Sequence, residues 1–256
     1  SFDHTGPFAR SVEDLGLAYD ALQGFDAADP AMVKRPLEAV SGRLERGASG
    51  LRIAIADGYF AAQGEVRDLM EIVATRLDVT RRIDIAEAQA ARSAAFLITM
   101  AEGAALHSER LRTQPQDFDP EVRDRLLAGA LLPAAWIERA QRFRRSFEER
   151  MEGIFSGIDV ILAPATPLRA PRLGQKNAVM GGVEMPIRPN LGIFTQPFSF
   201  IGLPVAAVPI VVEGKLPMGI QVVAAPWRED FALRIARQLE KTGLAAAPVA
   251  AGFAEE

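Results

Sequence analysis

The sequence predicts an α/β protein, because strand and helix patterns alternate in its first half. Residues 51–56 are a short apolar run typical of a buried strand, and residues 66–77 carry apolar side chains at helical spacing. A second short strand follows at residues 82–85. Strand, helix and strand in this order are typical of open α/β sheets. We therefore expect a sheet with helices packed against it.

Three more strands are expected in the second half of the chain. Residues 160–163 are an apolar run that Pro164 ends, which predicts another buried strand. Residues 205–212 and 219–224 are separated by a short turn that contains Gly and Pro, and such a pair predicts a β-hairpin. The expected sheet thus combines strands joined through a helix with strands joined by a tight turn.

The remaining helices are indicated by their ends. Ser11 with Asp14 three residues later is a helix N-cap with a variant of the capping box, and Gly24 is a typical helix stop. Pro133 suits the first turn of a long helix, and Asp230 is expected to cap the last one. The further predicted helices cover residues 12–22, 86–112, 121–130, 133–155 and 231–239.

Three segments lack a regular pattern and are expected to be irregular. They are residues 26–50, residues 168–192 and a frayed tail at residues 245–256. Loops as long as the second one are usually functional or mobile in a compact domain. A chain of 256 residues is large enough for one sizeable core, and we predict a single domain over residues 1–256.

The composition is that of a soluble globular protein, with 49% apolar and 24% charged residues. A net charge of −4 argues against a nucleic-acid partner, and no apolar run approaches the roughly 20 residues that span a bilayer. The chain has no Cys and only two His, which excludes a thiolate or multi-His metal site. We expect a cytoplasmic protein that uses no cofactor and binds neither nucleic acid nor membrane.

Three motifs occur in order along the chain. The first reads Ser-Phe-Asp-His-Thr-Gly-Pro at residues 1–7 and continues to Asp14, the second spans residues 159–167, and the third spans residues 194–209. This order of motifs resembles that of the amidase-signature hydrolases. The resemblance implies an α/β/α sandwich on a mixed sheet and the cleavage of a C–N amide bond with release of ammonia.

The catalytic machinery of that family is a Ser nucleophile, a second Ser that relays its proton, and a buried neutral Lys that acts as the base. It requires a Gly-Ser-Ser segment, which this sequence lacks, and the four Lys residues stand in loop-like or helix-end contexts. In the family the triad precedes the first of the three motifs. The resemblance therefore implies that this chain is the C-terminal part of an amidase domain, with no catalytic residue of its own and no activity alone.

Arg125 and Arg110 are the candidate anchors for an anionic substrate, since a guanidinium can bind a carboxylate through two hydrogen bonds. Residues 121–129 resemble a segment of glutamyl-tRNA amidotransferase A subunits whose Arg touches the substrate carboxylate, and Arg125 matches that Arg. In the alternative interpretation, Arg125 is a surface residue that pairs with Glu121 one turn earlier. Arg110 falls near the place where amidases of urea-derived substrates hold an anchoring Arg.

Thr195 and Gln196 precede the predicted hairpin and, by the resemblance, line the mouth of the pocket. A Gln amide can both donate to and accept from a urea-like group. The alternative is a hydrogen bond from Gln196 that only braces the loop. Gly192 stands where the amidotransferase subunits carry an Asp that meets the substrate ammonium, so its presence argues against glutamine as the substrate.

The resemblance extends to amidases that act on small carboxylated urea derivatives such as 1-carboxybiuret. It implies a small-molecule amide substrate, a homo-oligomeric enzyme and a small helical partner subunit. The residues expected to hold the substrate are Arg110, Arg125, Thr195 and Gln196. The alternatives are a subunit like that of the amidotransferases or a generalist amidase. An alternative of another class is a non-catalytic scaffold or binding module formed by this part alone.

Overall fold

A mixed five-stranded sheet forms the centre of the structure, a computed structural model that describes residues 1–249. The strands in this range are β1 (Ile53–Asp57), β2 (Arg82–Asp84), β3 (Val160–Pro164), β4 (Asn177–Met180), β5 (Val183–Pro186), β6 (Val205–Ile210) and β7 (Met218–Ala224). The α-helices are α1 (Val12–Leu22), α2 (Glu65–Arg76), α3 (Ala88–Thr113), α4 (Pro120–Ala130), α5 (Ala134–Phe155), α6 (Gln196–Ser199) and α7 (Glu229–Lys241). None of the helices in the described part of the chain has the length and apolar character needed to cross a membrane.

The order of strands in the main sheet is β2-β1-β3-β7-β6. β1 is parallel to both β2 and β3, whereas β7 is antiparallel to β3 and β6. α2 connects β1 to β2, so the predicted strand–helix–strand unit is confirmed. The predicted hairpin is confirmed as well, because β6 and β7 pair from Val205 with Val223 to Ile210 with Met218.

β3 is the central strand and is buried along its whole length. Its side chains alternate between the two faces of the sheet, as the geometry of a strand requires. Val160 and Leu162 belong to the core under α2 and α7, whereas Ile161 and Ala163 belong to the core under α3 and α5. Apolar surface on both faces has to be covered by helices, which gives the α/β/α sandwich that the resemblance implies.

The local signals at the helix ends differ in how well they predict the structure. Ser11 is the N-cap of α1 as expected, since its hydroxyl oxygen accepts a hydrogen bond from the Asp14 backbone N–H at 3.0 Å. Pro133 immediately precedes α5 instead of lying in its first turn. Asp230 is not the cap of the last helix, because α7 begins one residue before it, after Arg228. The buried Asp230 carboxylate accepts a hydrogen bond from Arg228 at 3.1 Å, so an ion pair takes the place of the cap.

The long connection predicted as irregular contains a hairpin. β4 and β5 form a two-stranded antiparallel sheet, with Met180 paired to Val183. The turn between them is Gly181-Gly182, and both residues have positive φ, 61° and 81°. Residues without a Cβ adopt that geometry at no steric cost, so the Gly-Gly pair is the sequence signal for this tight turn. The prediction is wrong here because both strands are short and mostly exposed, and burial leaves no periodic pattern in them.

Two other segments predicted as irregular are partly ordered. Residues 26–50 include a 3₁₀ turn at Ser41–Arg46. In the tail, Ala245 is buried and pairs with Ile210 through an isolated bridge. The prediction of a frayed tail is therefore wrong at its first residue, and residues 250–256 of that tail lie outside the described part of the chain.

Glu65, at the start of α2, joins two loops by ion pairs. Its carboxylate lies 2.9 Å from Arg169 Nε, in the connection after β3, and 2.5 Å from Lys215 Nζ, in the turn between β6 and β7. The Arg169 guanidinium and, after it, the Lys215 ammonium lower the pKa of Glu65 from 4.5 to about 2. An acid whose pKa is lowered on folding stabilises the fold above its unfolded pKa. That contribution is lost as the pH falls from about 4.5 to about 2.

We expect Glu65→Gln to lower the free energy of unfolding at pH 7 by no more than about 1 kcal/mol, because the ion pairs are partly exposed and screened by solvent. At about pH 3 the difference between the variant and the wild type should shrink, since the unfolded wild type then binds a proton at Glu65 that the folded protein does not. Urea unfolding of both proteins at the two pH values measures this. If the two proteins differed in free energy of unfolding by the same amount at pH 7 and at about pH 3, the ion-pair origin of the pKa shift would be contradicted.

Candidate functional site

Arg125 and Gln196 are brought into one group of contacts around Phe96 on α3. The Arg125 guanidinium, on α4, lies 5.3 Å from the centre of the Phe96 ring. Arg92, one turn before Phe96, places its guanidinium 5.2 Å from the same ring. Arg92 Nε also donates a hydrogen bond to Gln196 Oε1 at 3.1 Å, at the start of α6. Continuous contacts therefore join α3, α4 and α6 through what we call the Phe96 cluster, which consists of Arg92, Phe96, Arg125 and Gln196.

Arg92 fixes the loop that leads into α6. Its Nη2 donates hydrogen bonds to the Pro189 carbonyl and to Asn190 Oδ1, both at 2.9 Å. Together with the bond to Gln196, these contacts hold a half-buried guanidinium between α3 and the loop. Hydrogen bonds from a charged donor are about twice as strong as neutral ones, so we expect them to hold the loop firmly on α3.

Arg188 ties the same loop to the start of α4. Its Nη1 lies 3.1 Å from Asp119 and 3.0 Å from Glu121. Hydrogen bonds from Arg188 hold the pKa of the Asp119 carboxyl below its usual value. Glu121 thus pairs with Arg188 and not with Arg125. Within residues 1–249 the Arg125 guanidinium has no hydrogen bond or ion pair, and its side chain is exposed.

Two glycines let α4 approach α3 closely. A Cβ added at Gly129 would lie 2.1 Å from the Met100 carbonyl oxygen, and one added at Gly103 would lie 2.6 Å from a methyl carbon of Leu126. Both distances are far shorter than any van der Waals contact, so neither position accepts a side chain without movement. This close packing of the two helices is what carries α4 into the Phe96 cluster.

Thr195 and Gly192 shape the turn in front of α6. Thr195 is the N-cap residue of α6, and its hydroxyl donates to the Gly192 carbonyl at 3.3 Å. An added Cβ at Gly192 would lie 3.3 Å from Thr195 Oγ1 and 3.6 Å from Gln196 Cγ, so Gly192 leaves room for both side chains. Gln196 Oε1 accepts the hydrogen bond that braces the loop, while Gln196 Nε2 donates to no other residue in the described range.

The structure does not bring Arg110 into the Phe96 cluster. Arg110 lies near the other end of α3, eighteen residues after Arg92 and so roughly 27 Å from it along the helix axis. It lies 3.9 Å from Asp117 and 5.4 Å from the centre of the Phe118 ring. His107 packs edge to face on the same ring, with the ring centres 5.6 Å apart. The two candidate anchors thus belong to different parts of the surface.

A cavity of about 620 Å³ opens where β1 and β2 end and α3 begins, next to Arg92 at Ser93. Its lining includes none of the four residues predicted to bind substrate, and its charged side chains are the acids Asp84 and Glu87. Because like charges repel, an acidic lining does not suit a carboxylated ligand. Within residues 1–249 no group of three or more His, Cys, Asp or Glu could hold a metal ion.

Arg92 and Phe96 are the members of the cluster that motifs in the sequence do not indicate, and Arg92 is the one that hydrogen-bonds to a predicted site residue. It lies in an Ala-rich helical stretch, and its partner Gln196 is 104 residues away. The signal that could find it is an Arg four residues before an aromatic residue within an Ala-rich helix. Residues four apart share one face of a helix, so Arg92 and Phe96 are expected to act together.

Most of the chain, residues 1–233, matches the model of one protein family, which is described as Amidase. The chain belongs to the amidase family. All three motifs lie within the matched residues, so the resemblance based on them is confirmed.

Two curated relatives are similar to this amidase chain over nearly all of its length. The chain is 41% identical over 249 residues to the AtzE subunit of 1-carboxybiuret hydrolase from Pseudomonas sp. (strain ADP), which covers 96% of the chain and 54% of the relative. It is 28% identical over 272 residues to the A subunit of glutamyl-tRNA(Gln) amidotransferase from Pseudomonas aeruginosa (strain LESB58), which covers 94% of the chain and 55% of the relative. The chain therefore spans about half the length of the curated relatives it matches.

Two solved structures share the fold. One belongs to a vestigial protein complex, in its inhibitor-bound form, that reveals the evolutionary origins of an s-triazine catabolic enzyme. It superposes with a TM-score of 0.92 at 40% identity, over 95% of this chain and 54% of that one. A bacterial aryl acylamidase of the amidase-signature family superposes with a TM-score of 0.75 at 24% identity, over 94% of this chain and 54% of that one. The second likeness supports the fold alone, and both agree with the α/β/α sandwich.

Proposed function

We propose that the full-length protein is an amidohydrolase that cleaves a C–N amide bond of a small carboxylated urea derivative, such as 1-carboxybiuret, and releases ammonia. The observation that carries this proposal is the Phe96 cluster, in which the Arg125 guanidinium has no acidic partner within residues 1–249 and is joined by contacts to Gln196. A guanidinium that is unpaired among the described residues and linked to an amide through Phe96 and Arg92 suits a carboxylate attached to a urea. The likeness to one component of a 1-carboxybiuret hydrolase supports the same substrate class.

The covalent chemistry in this proposal uses a Ser-Ser-Lys triad that precedes these residues in the full-length protein. The neutral Lys takes a proton, through the second Ser, from the nucleophilic Ser, whose oxygen attacks the carbonyl carbon. The C–N bond breaks, the nitrogen takes up that proton and leaves as ammonia, and an acyl-enzyme ester remains. Water then cleaves the ester, which frees the acid and restores the Ser hydroxyl. Backbone N–H groups stabilise the negative oxygen that forms in each step.

In this proposal, residues 1–256 are the C-terminal portion of a single amidase domain and supply one wall of the pocket. Arg125 binds the substrate carboxylate through paired N–H donors. Gln196 positions the urea end, and Thr195 shapes the turn that carries Gln196. Arg110 stays a prediction of the sequence. Because it lies roughly 27 Å from Arg92 along α3, this proposal gives it no part in the pocket.

We also propose the setting that the sequence predicts, a cytoplasmic homo-oligomer without a cofactor that binds a small helical partner subunit. Support for a partner comes from the relatives. Both curated relatives are named as subunits, and one similar structure is that of a protein complex. Co-purification of the full-length protein with the product of a neighbouring gene would test this part of the proposal.

The first test is ammonia release from 1-carboxybiuret, biuret and glutamine, measured for the full-length protein and for the 256-residue chain. The proposal expects release from 1-carboxybiuret by the full-length protein alone. Release by the 256-residue chain would show a nucleophile within it and would contradict the upstream triad. Release from glutamine only would favour an amidotransferase-like subunit. Release from none of the three would favour a generalist amidase or a non-catalytic scaffold.

We expect Arg125→Ala in the full-length protein to lower kcat/KM for 1-carboxybiuret by about 10- to 100-fold, mainly through KM. Hydrogen bonds to a charged group contribute about 1.5–3 kcal/mol, which corresponds to that range. Activity on biuret, which lacks the carboxylate, should change much less.

Arg110→Ala is the matched control, because Arg110 is also an exposed helical Arg above a Phe ring but lies outside the Phe96 cluster. It should change kcat/KM by less than about twofold, as for most surface substitutions. An equal loss in the two variants would establish the two-Arg anchor predicted from the sequence. A loss in Arg110→Ala alone would exclude Arg125 as the anchor.

A further inference from the structure

The Gln196 amide is held in one of its two orientations. A Gln side chain presents an oxygen that accepts hydrogen bonds and an NH₂ group that donates them, and a rotation of 180° exchanges the two. Arg92 Nε lies 3.1 Å from Gln196 Oε1, and a guanidinium carries only donors. The rotated amide would point its N–H groups at the N–H of Arg92. The contact therefore permits only the orientation with the oxygen toward Arg92.

Arg92 is itself fixed, so it does not turn away to allow the other orientation. Its Nη2 is engaged by the Pro189 carbonyl and by Asn190 Oδ1, both at 2.9 Å. Its guanidinium carbon lies 5.2 Å from the centre of the Phe96 ring, and the side chain is half-buried. Contacts to the loop, to the ring and to Gln196 hold the guanidinium before any ligand arrives.

Gly192 keeps the NH₂ end of the amide available. A Cβ at this position would lie 3.9 Å from the amide carbon of Gln196. The carboxylate of an Asp at position 192 could therefore accept a hydrogen bond from that NH₂ group. With Gly at position 192, Gln196 Nε2 has no acceptor within residues 1–249. The NH₂ group of Gln196 and the guanidinium of Arg125 thus both offer unused N–H donors, and Phe96 and Arg92 connect them.

We infer that Arg92 is a positioning residue that makes Gln196 a hydrogen-bond donor, so that Arg125 and Gln196 form a donor-only subsite for the oxygens of a carboxylate or a urea carbonyl. The inference rests on the proposed function and deepens it. The sequence alone leaves Gln196 able to accept as well as to donate, and the contact with Arg92 removes that freedom. A ligand group that offers only N–H would meet donors instead of acceptors.

Gln196→Glu tests the donor directly in the full-length protein, because it exchanges the NH₂ group for an oxygen at almost unchanged shape. Glu remains a partner for Arg92, so the melting temperature should not fall. We expect kcat/KM for 1-carboxybiuret to fall by about tenfold or more, since a donor becomes a negative charge that faces the ligand oxygens. Activity within twofold of the wild type would overturn the inference, because Gln196 would then only brace the loop.

Arg92→Met and Arg92→Lys test the positioning role. Met removes every donor from position 92, so the amide of Gln196 can rotate, and we expect KM for 1-carboxybiuret to rise about tenfold while kcat changes by less than about threefold. Lys keeps the charge and one donor for Gln196 Oε1, so the rise in KM should be smaller in Arg92→Lys than in Arg92→Met. Unchanged KM in both variants, with a lower melting temperature, would show a purely structural role and overturn the inference.

Malonate separates a failure of this inference from a failure of the proposed function. It is a small dicarboxylate that offers acceptor oxygens and no amide, and calorimetry measures its binding to the full-length protein. Malonate binding that Gln196→Glu abolishes, without ammonia release from 1-carboxybiuret, would support the subsite and overturn the substrate. Ammonia release with equal malonate affinity in wild type and Gln196→Glu would overturn the subsite alone. The absence of both binding and release would overturn both.

Discussion

Replacing Gly129 with Ala is expected to lower the free energy of unfolding by about 3 kcal/mol, at the upper end of the usual cost of overpacking. A Cβ at this position would lie 2.1 Å from the Met100 carbonyl oxygen and 2.5 Å from its carbonyl carbon. Both are backbone atoms of α3, so no side-chain rotation relieves the clash. α4 has to move away from α3, and the packing between the two helices is lost with it.

The same displacement should reach the Phe96 cluster. Arg125 lies four residues before Gly129 and therefore on the same face of α4. A shift of α4 moves its guanidinium off the Phe96 ring, which it now approaches to 5.3 Å from the ring centre. We expect Gly129→Ala to bind malonate more weakly than the wild type even at temperatures where the full-length protein is folded.

Gly153→Ala is the matched control for Gly129→Ala. Gly153 also lies within a helix, α5, but a Cβ added there meets no atom within 4 Å. The better helix propensity of Ala should raise the free energy of unfolding by about 0.5–1 kcal/mol at such a position. Urea unfolding of the full-length protein measures both variants. Equal midpoints for the two would contradict the close packing of α3 and α4.

The elements that are predicted correctly carry their signal in their own residues. β3 reads as an unbroken apolar run because both of its faces are buried. The start of α1 is marked by Ser11 and Asp14, whose hydrogen bonds close within one turn. Every partner in such an interaction lies within a few positions along the chain, so the pattern is visible without the fold.

The elements predicted wrongly involve a distant partner or leave no buried face in the sequence pattern. Asp230 has the residue type of an N-cap, but in the folded chain Arg228 and Arg43 lie 3.1 Å and 3.6 Å from its carboxylate. Arg43 comes from the turn before β1, and no pattern around position 230 indicates that contact. The β4–β5 hairpin carries no buried face, so only Gly181-Gly182 marks it in the sequence.

The residues of the candidate site show the same difference between local signals and distant contacts. Arg125 and Gln196 are indicated by motifs, whereas Arg92 has no motif and reaches Gln196 across 104 residues. Arg110 and Arg125 look equivalent in the sequence as helical arginines. In the structure Arg125 packs on Phe96, whereas Arg110 packs on Phe118 near the other end of the 26-residue helix α3. The tertiary packing of α3 and α4 sets these distances, so a motif can propose a residue for the site but cannot place it there.

Gln221→Leu is the second change with a large expected effect, a loss of about 2–4 kcal/mol in the free energy of unfolding. Gln221, on β7, is 2% exposed, and its Nε2 donates to the carbonyls of Pro164 at 2.8 Å and Phe194 at 2.9 Å. Leu would leave both carbonyls without a donor, at a cost of about 1–3 kcal/mol for each buried group. Because Phe194 lies two residues before Gln196, the loop that carries the donor amide would lose an anchor to the sheet.

Gln221→Glu separates the loss of the Nε2 hydrogen-bond donor from a change in side-chain shape. Glu has nearly the same volume, but its ionised carboxylate would face two carbonyl oxygens in a buried site, which raises its pKa above the ordinary value of about 4.3. An acid whose pKa is raised on folding favours the fold below its unfolded pKa and loses that contribution as the pH rises toward the folded pKa. Gln221→Glu should therefore lose stability between about pH 4 and pH 7 relative to wild type, whereas the deficit of Gln221→Leu should stay constant. The two variants could instead lose the same free energy of unfolding at about pH 4 and at pH 7. Gln221 would then only fill space, and packing would hold the loop before α6 instead of the Nε2 hydrogen bonds.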